Sequence, residues 1–552
     1  MKTISVKHIK TLIAVVILCG TMILPARAQN DFEIAKNVDI FISILRELNA
    51  KYADEISPGE LTNTAIDAML ESLDPYTIYY TENEIEDVKM ITSGQYGGIG
   101  ALIQQYGKDK VAISEIYEDC PAQKSGVLAG DIITKVDGKS TAGKNSTDIS
   151  SAMRGQPGTT VTLEVFRPSK NKTLNFSITR EEITLPNIPY YGMLDNTVGY
   201  IKLDQFTDKA GKEVRDAFTD LKGQGMTALI LDLRNNGGGL LQEAVKIMNI
   251  FVEQGNVIVY TKGKIEDQNH IFRTPAHALD KDIPVVVLVN EHSASASEIV
   301  AGAFQDLDRG VIVGKKSYGK GLVQNIVPLS FNSSMKLTVS KYYIPSGRCV
   351  QKIEYFSKDS TKSHVIPDSL AVAFKTQNGR TVYDKGGIEP DVPTPADYIS
   401  SVLTALIFNN HIFDFANQYH ADHTAIAPAD QFVVDEKTFN EFLNFVGNKD
   451  YDYTTETEEV MKDLKEAAEY DNYFEKIEPL YRQLEEQLEH EKRADLQTHK
   501  KEICEYLASE IAVRYYYQKG RIINQLSIDP DINTAKEILH DRNRYNSILN
   551  IK

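Results

Sequence analysis

Thr227-Ala228-Leu229-Ile230-Leu231-Asp232-Leu233 is a near-continuous apolar run that empties into Arg234-Asn235-Asn236-Gly237-Gly238-Gly239-Leu240. A strand apolar on both faces is the kind that an α/β sheet buries between two layers. The consecutive glycines let the backbone turn sharply and expose N–H groups with no side chain in the way. Ile283-Pro284-Val285-Val286-Val287-Leu288-Val289 repeats the pattern. It leaves through Asn290-Glu291-His292-Ser293-Ala294-Ser295-Ala296-Ser297-Glu298 into the helical spacing of Ile299, Val300, Ala303 and Phe304. Val198 to Leu203 reads as another strand and Lys209 to Leu221 as a helix. From about Ile183 to Val392, strands and helices therefore alternate as in an α/β core.

Towards the N-terminus the period changes. Between about Tyr96 and Thr179 short strands and turns dominate: Tyr96-Gly97-Gly98-Ile99-Gly100 before Ala101-Leu102-Ile103, then Gly130-Asp131-Ile132-Ile133 and Val136-Asp137-Gly138. A short helix over Asp148 to Arg154 precedes a last strand, Val161 to Phe166. This order resembles a PDZ domain of the bacterial kind. In that recognition mode a Gly-rich turn offers N–H groups to a terminal carboxylate, and the peptide adds to the sheet edge. The alternative is a generic β module whose glycines only make turns. From about Asp31 to Glu86 the apolar spacing is helical, punctuated by Leu73-Asp74-Pro75-Tyr76, since Pro75 disfavours helix at Asp74.

The first 28 residues read as an export signal. Lys2, Lys7 and Lys10 precede the uncharged run from Thr11 to Leu24, and Ala26-Arg27-Ala28 puts small residues where a signal peptidase needs them. The run falls short of the roughly 20 residues that span a bilayer, which weighs against an uncleaved anchor. Bulky Val16-Ile17-Leu18 weighs against a lipoprotein made through Cys19. Cleavage near Ala28 would leave Gln29 first and place the protein in the periplasm or cell envelope.

At 552 residues, and about 150 per domain, three or four folding units are expected. A formal net charge of −17 argues against a chain built to neutralise nucleic-acid phosphates. Four widely spaced cysteines make neither a zinc ribbon nor a disulfide scaffold. Beyond about Pro395 glycine thins out and charge rises. Leu464, Ala467, Tyr470, Phe474, Ile477, Tyr481, Leu484 and Leu488 form an amphipathic stripe, with Pro479 placed in the first turn of a second helix.

A third segment, Ser317-Tyr318-Gly319-Lys320-Gly321-Leu322-Val323-Gln324, sets a lysine between glycines and ahead of an apolar strand. Pairing it with the serine-rich turn gives a chemistry. A serine hydroxyl is a poor nucleophile until a neighbouring base takes its proton. A lysine is that base only as the neutral amine, a form that burial favours. Gln324, four residues on in a strand, returns to the face of Lys320 and can accept one of its N–H groups. Ser295 at a helix N-terminus has free N–H groups near it, so Ala296 N–H can meet an oxyanion, with Gly238 or Gly239 N–H as the second donor. The competing readings are structural. Ser295-x-x-Glu298 is also a capping box, and Lys320 also fits a surface lysine between turns. His292 is too close in sequence to face the same hydroxyl. His420-Ala421-Asp422-His423 reads as a solvated loop rather than a metal pair, since a site needs three or four ligands. Neither metal nor cofactor is expected, because HExxH, GxxxxGK[ST] and GxSxG patterns are missing.

Six segments in order carry a resemblance: Tyr96 to Gly100, Asp232 to Asn236, Ser293 to Glu298, Tyr318 to Gly321 with Gln324, Tyr343-Ile344-Pro345-Ser346-Gly347-Arg348, and Gly386-Gly387-Ile388-Glu389-Pro390-Asp391-Val392. From about Asp74 to Val392 the chain resembles the carboxyl-terminal processing proteases, or tail-specific proteases. The resemblance implies Ser295 as nucleophile, Lys320 as general base, Gln324 as the residue that orients the lysine, and Asp306 at an acidic position of structural character. It implies an α/β protease core like those of crotonase and Clp protease, carrying an inserted β-rich PDZ domain, a helical N-terminal segment and a helical C-terminal extension. Gly237 departs from the family, where many members have proline after the asparagine pair.

The expected division is a signal over 1–28, a helical region over 29–92, a PDZ domain over 93–182, a serine protease core over 183–395 and a helical extension over 396–552. The expected function is an exported serine endopeptidase whose PDZ residues Gly97, Gly98, Ile99 and Gly100 take the apolar C-terminus of a protein substrate. An adaptor protein and a homo-oligomer through the C-terminal helices are the further partners considered; nucleic acid is not one. The rival readings are a non-catalytic PDZ scaffold of the envelope and a crotonase-like acyl-CoA enzyme. The second leaves the PDZ-like region and the signal without a purpose.

Overall fold

The computed structural model describes residues 31–355, 364–384, 386–395, 399–447, 449 and 453–551. The expected signal segment and its cleavage site at Ala28 lie outside the described residues. Two compact units divide the chain, one ending at Tyr79 and one running from Tyr80.

In the first unit, α1 (31–51) and α2 (Pro58–Glu71) realise the helical spacing. Pro58 opens α2 behind the N-cap Ser57, where its missing N–H costs nothing. Beyond its end the Asp74 carboxylate accepts the Tyr76 and Thr77 N–H groups, at 2.8 and 2.9 Å, and closes the turn that Pro75 demands. The expected helical entry is interrupted by a short strand, Ile78–Tyr80, before α3 (Ile85–Ser93) resumes it in the second unit.

The β-rich region follows. Five antiparallel strands, β2 (Ala101–Tyr106), β3 (Lys110–Ile116), β4 (Ile132–Val136), β5 (Thr160–Arg167) and β6 (Lys172–Thr179), lie side by side in that order. Gln95–Gly98 (β1) instead pairs with Glu181–Thr184 (β7). Helix α4 (Ser146–Met153) closes the core with Ile149 and Met153 against Val111, Ile133 and Val161. The strand pattern legible in the sequence ends at Phe166. β6 continues the sheet with mostly polar and half-exposed residues, which is why its alternation was missed. The buried Asp131 carboxylate grips Arg167 with two 2.6 Å hydrogen bonds and ties the Gly130 turn to β5.

The α/β region is a six-stranded sheet in the order β8 (Tyr190–Met193), β9 (Val198–Lys202), β10 (Ala228–Asp232), β13 (Val285–Val289), β14 (Val311–Gly314), β17 (Val392–Pro393). All pairs but the first are parallel. One face, with Ile201, Leu231, Val287 and Ile312, packs on α5 (Ala210–Gly223), α6 (Leu241–Phe251) and α7 (Ala296–Asp306). A second, antiparallel set pairs β11 (Val257–Gly263) with β12 (Ile271–Arg273) and with β16 (Ser334–Tyr343), and β16 with β15 (Leu322–Pro328).

The C-terminal region corrects two expectations and adds a contact that the sequence does not announce. Residues 401–525 form a bundle with its own apolar cluster: α8 (Ser401–Phe408), α9 (His411–Asp422), α10 (Glu436–Val446), α11 (Glu456–Tyr470), α12 (Phe474–Thr498) and α13 (Lys500–Gln525). His420, expected in a loop, therefore stands in a helix. Pro479 lies inside α12 rather than in its first turn, because the helix starts at Phe474 and the ring removes only one hydrogen bond near that end. Most consequentially, α14 (Pro530–His540) and α15 (Arg542–Ile548) do not belong to that bundle's core. Ile532, Ala535, Ile538, Leu539 and Tyr545 cover the second face of the α/β sheet, against Tyr200, Ile230, Val286, Leu288 and Val313. Tyr545 even accepts the Val285 N–H, at 3.1 Å. Both faces of β10 and β13 are thus sealed, as their unbroken apolar runs require.

That cover has a measurable weight. Ile538→Ala empties a fully buried site against the sheet and is expected to lower stability by about 2–5 kcal/mol in urea unfolding. Val460→Ala, at an exposed position of α11, should change it by less than about 0.5 kcal/mol.

Candidate active site

Ser295 sits where β13 gives way to α7, with φ 57° and ψ −112°. A non-glycine residue there is strained and persists only when its surroundings over-determine it. The surroundings do so. Ser293 Oγ donates to Leu233 O at 2.8 Å and accepts Asn290 N–H at 2.9 Å, while Ser297 Oγ donates to Asn236 O at 2.9 Å. The hydroxyls on either side of Ser295 thus anchor its turn to the glycine-rich loop after β10. Ser295 and Glu298 form a capping box across the first turn of α7, and Glu298 accepts the Ser295 N–H. The capping reading of the motif is therefore realised, alongside the place of Ser295 in the cavity described below.

Glu298 is the hub. It is fully buried and accepts four hydrogen bonds: Ser295 N–H at 2.9 Å, Lys320 N–H at 2.8 Å, Gly319 N–H at 2.7 Å and the Ser317 hydroxyl at 2.6 Å. Burial pushes its carboxyl above the ordinary value, against the pull of these donors. One side chain thereby fixes the serine elbow and the lysine turn to each other. The glycines beside Lys320 permit the close approach: a Cβ on Gly319 would stand 2.6 Å from Lys352 Cβ, and one on Gly321 2.9 Å from Gln351 N.

Ser295, Lys320 and Gln324 line one cavity of about 330 Å³, together with Gly238 and Gly239. Gln324 donates its amide to Thr338 Oγ1 at 3.2 Å, which directs its carbonyl oxygen the other way. At Gly238, φ is 100°, and a Cβ there would fall 2.8 Å from Ser295 Cβ and 2.9 Å from Ala296 N. The absent side chain is what lets the loop pack this closely on the serine elbow. Gly238 N–H is itself taken by Asn236 Oδ1 at 2.9 Å, so in this structure the residue supplies close packing rather than a donor. A second cavity, of about 520 Å³, opens from Ser295 between Leu241, Ile299, Leu322, Val323 and Tyr342. Tyr342, which the sequence reading missed, donates its hydroxyl to Ser295 O at 3.2 Å. Nothing in its local pattern marks it, because the contact depends on how β16 crosses the elbow.

The remaining candidates fall outside. The His292 side chain is 67% exposed, with Nε2 3.9 Å from the Glu291 carboxylate. His420 meets the Tyr515 ring, and His423 stacks on Tyr419 at 4.0 Å. Among the described residues no group of three or more ligand-type side chains could hold a metal ion. Asp306 is structural: its carboxylate pairs with buried Arg348 at 2.8 Å and accepts Ser346 N–H at 2.9 Å.

In the β-rich region a groove of about 460 Å³ runs between β2 and α4. Gly98, Ile99 and Gly100 line it with Leu102, Ile103 and Met153. Gly97 does not. It pairs in β1, and a Cβ on it would strike Gly155 O at 2.0 Å, so packing explains that glycine.

Comparison with known proteins agrees with this layout. Residues 197–361 match the model of peptidase family S41, 113–167 that of a PDZ domain, and 402–539 that of the "Probable PDZ-protease, C-terminal helical domain". The carboxy-terminal-processing protease of Bartonella bacilliformis is 37% identical over 350 residues, which are 62% of this chain and 79% of the relative. The chain belongs to the carboxy-terminal-processing proteases of family S41. A probable CtpA-like serine protease of Staphylococcus epidermidis is also 37% identical, over 56% of this chain and 62% of its own length. Among solved structures, a photosystem II D1 C-terminal processing protease is 28% identical, with a TM-score of 0.37 over 65% of this chain and 87% of that one. The family is one of serine-type peptidases, and it accounts for a PDZ domain and a helical C-terminal domain in one chain.

Glu298→Gln tests the hub. The amide's NH₂ must face at least one donor whichever way it points, which leaves buried N–H groups unpaired. A loss of about 1–3 kcal/mol in urea unfolding is expected, and fluorophosphonate labelling of Ser295 should slow in the same variant.

Proposed function

We propose that the protein is an exported endopeptidase that captures the C-terminal tail of protein substrates and cleaves them with a Ser295–Lys320 dyad. The observation that carries this reading is the shared cavity: Ser295, Lys320 and Gln324 line one space, and Glu298 holds the backbones of the first two. Ser295 Oγ attacks the scissile carbonyl carbon and passes its proton to neutral Lys320 Nζ. The C–O bond forms as the carbonyl π pair moves onto oxygen, and that oxyanion occupies the space beside Gly238, facing Ala296 N–H. Collapse expels the amine, which takes the proton back from Lys320. Water activated by the same amine then frees the acyl group and restores Ser295. Gln324 orients Lys320 through its carbonyl oxygen.

The groove lined by Gly98, Ile99 and Gly100 is the tail site. Its apolar walls suit an apolar terminal residue, and backbone N–H groups suit the carboxylate. Parallel strands sealed by helices on both faces support a core of the crotonase and Clp-protease kind. Export rests on the first 28 residues alone, and the periplasm or cell envelope is the compartment this implies. The tail site sets the partner class, proteins with apolar C-termini.

Ser295→Ala should abolish cleavage of an unfolded, apolar-tailed substrate, and Lys320→Ala should lower it by about 10²- to 10⁴-fold with the circular-dichroism spectrum unchanged. Undiminished turnover in either variant would sink the dyad. Gly238→Ala drives a methyl against Ser295 Cβ and Ala296 N, displaces the serine elbow, and is expected to cost at least about 100-fold in kcat. Sequencing new C-termini in envelope extract treated with the active protein, against the Ser295→Ala control, identifies the substrates.

A further inference from the structure

The glycine-rich loop that borders the proposed oxyanion space is anchored by residues from the far end of the chain. Arg234, at the head of the loop, directs its guanidinium at three carboxylates. Asp232 binds it at 2.7 Å, Asp529 at 2.8 Å and Asp531 at 3.1 Å. Asp529 and Asp531 lie at the start of α14, the helix that seals the sheet. The cluster is hardly reached by solvent: the Arg234 side chain is 16% exposed and that of Asp531 2%. Lys202 Nζ donates to Arg234 O at 2.5 Å and to Asp232 at 3.4 Å, and Lys315 lies 3.6 Å from Asp531. Against the burial that would raise it, Arg234 and Lys202 hold the Asp232 carboxyl well below its usual range.

From Arg234 the path to Ser295 is short and made of fixed contacts. Asn235, with φ 62°, exchanges two 2.9 Å hydrogen bonds with Asn290. The Asn236 carbonyl accepts Ala294 N–H at 3.0 Å and the Ser297 hydroxyl at 2.9 Å, on either side of Ser295. Gly238, two residues on, presses against Ser295 itself. A guanidinium held by one carboxylate can rotate about that contact. Held by three, with Lys202 on the carbonyl, it has one orientation, and the loop that follows inherits it.

We propose that Asp531, supported by Asp529, is a positioning residue for catalysis: through Arg234 it sets the loop that shapes the space beside Ser295. The C-terminal segment is then a part of the catalytic apparatus and not only a cover for the sheet. This inference rests on the Ser295 reading above. Asp529 is a poor probe, because it caps α14 by accepting Asp531 N–H and Ile532 N–H. Asp531 enters that cap only through its backbone N–H, so its side chain reports on Arg234 and Lys315.

The test uses the full chain with Asp531→Asn, Asp531→Glu and Arg234→Lys, a fluorogenic apolar-tailed peptide, and a peptide boronate that forms a tetrahedral adduct with the serine. For Asp531→Asn, kcat and boronate affinity are both expected to fall by about 100-fold while KM stays within about twofold. Asp531→Glu should restore most of the loss. Arg234→Lys keeps the charge but not the fork, and should show the same split even if Asp531→Asn does not fold. A folded Asp531→Asn with wild-type kcat overturns the inference, as does a rise in KM with boronate affinity intact or a lower melting temperature as the only change. Ser295→Ala is run in parallel. Turnover by that variant removes the reading on which the inference rests, whereas an inert Ser295→Ala beside a wild-type-like Asp531→Asn overturns the inference alone.

Discussion

Glu298 is the constraint on which the rest of the site depends. A carboxylate without solvent is costly unless donors surround it, and here four do. The arrangement is rigid for that reason: moving either the elbow or the lysine turn leaves a buried oxygen or a buried N–H unpaired. The strain at Ser295 is held by this network and by the Ser293 and Ser297 hydroxyls. A side chain that does not face the cavity thereby decides how the groups that do face it are aligned.

Three loops that are distant in sequence meet in this way, and each is fixed by groups taken from another. The loop after β10 is held by Asn290 and Ser297, the elbow by Leu233 O and Glu298, and the lysine turn by Glu298 and Gln351. The parallel sheet makes this meeting inevitable, since β10, β13 and β14 all end on the same side. Three of the family's motifs therefore follow the ends of neighbouring strands, and their spacing in the chain is set by what runs between: α6 with β11 and β12 in one case, α7 in the other.

Much of this was legible beforehand, and the exceptions have physical causes. The apolar runs of β10 and β13 announced a doubly covered sheet, and the serine and lysine turns announced themselves by small residues at strand ends. What covered the sheet was not legible. Ile532, Ile538, Leu539 and Tyr545 have the spacing of any amphipathic helix, and spacing does not name the partner surface. β6 escaped because a strand with one wet face and polar residues lacks a strong alternation. Gly97 was grouped with Gly98 and Gly100 because a glycine that packs against Gly155 and one that lines a groove look the same in a string of letters. The engagement of Gly238 N–H by Asn236 depends on a side-chain rotamer, which no pattern encodes.

The placement of α14 also sets an order of events during synthesis. Chains grow from the N-terminus, and the segment from Pro530 leaves the ribosome long after β14 has done so. Until then one face of the central sheet, with Val286, Leu288 and Val313, has nothing to pack against, and Arg234 lacks two of its three carboxylates. A nascent chain can bury the helical side of the core early, but it completes the sheet only when its last helices dock. A core that closes only when α14 docks fixes Arg234, and the loop behind it, only after the segment from Pro530 has been made.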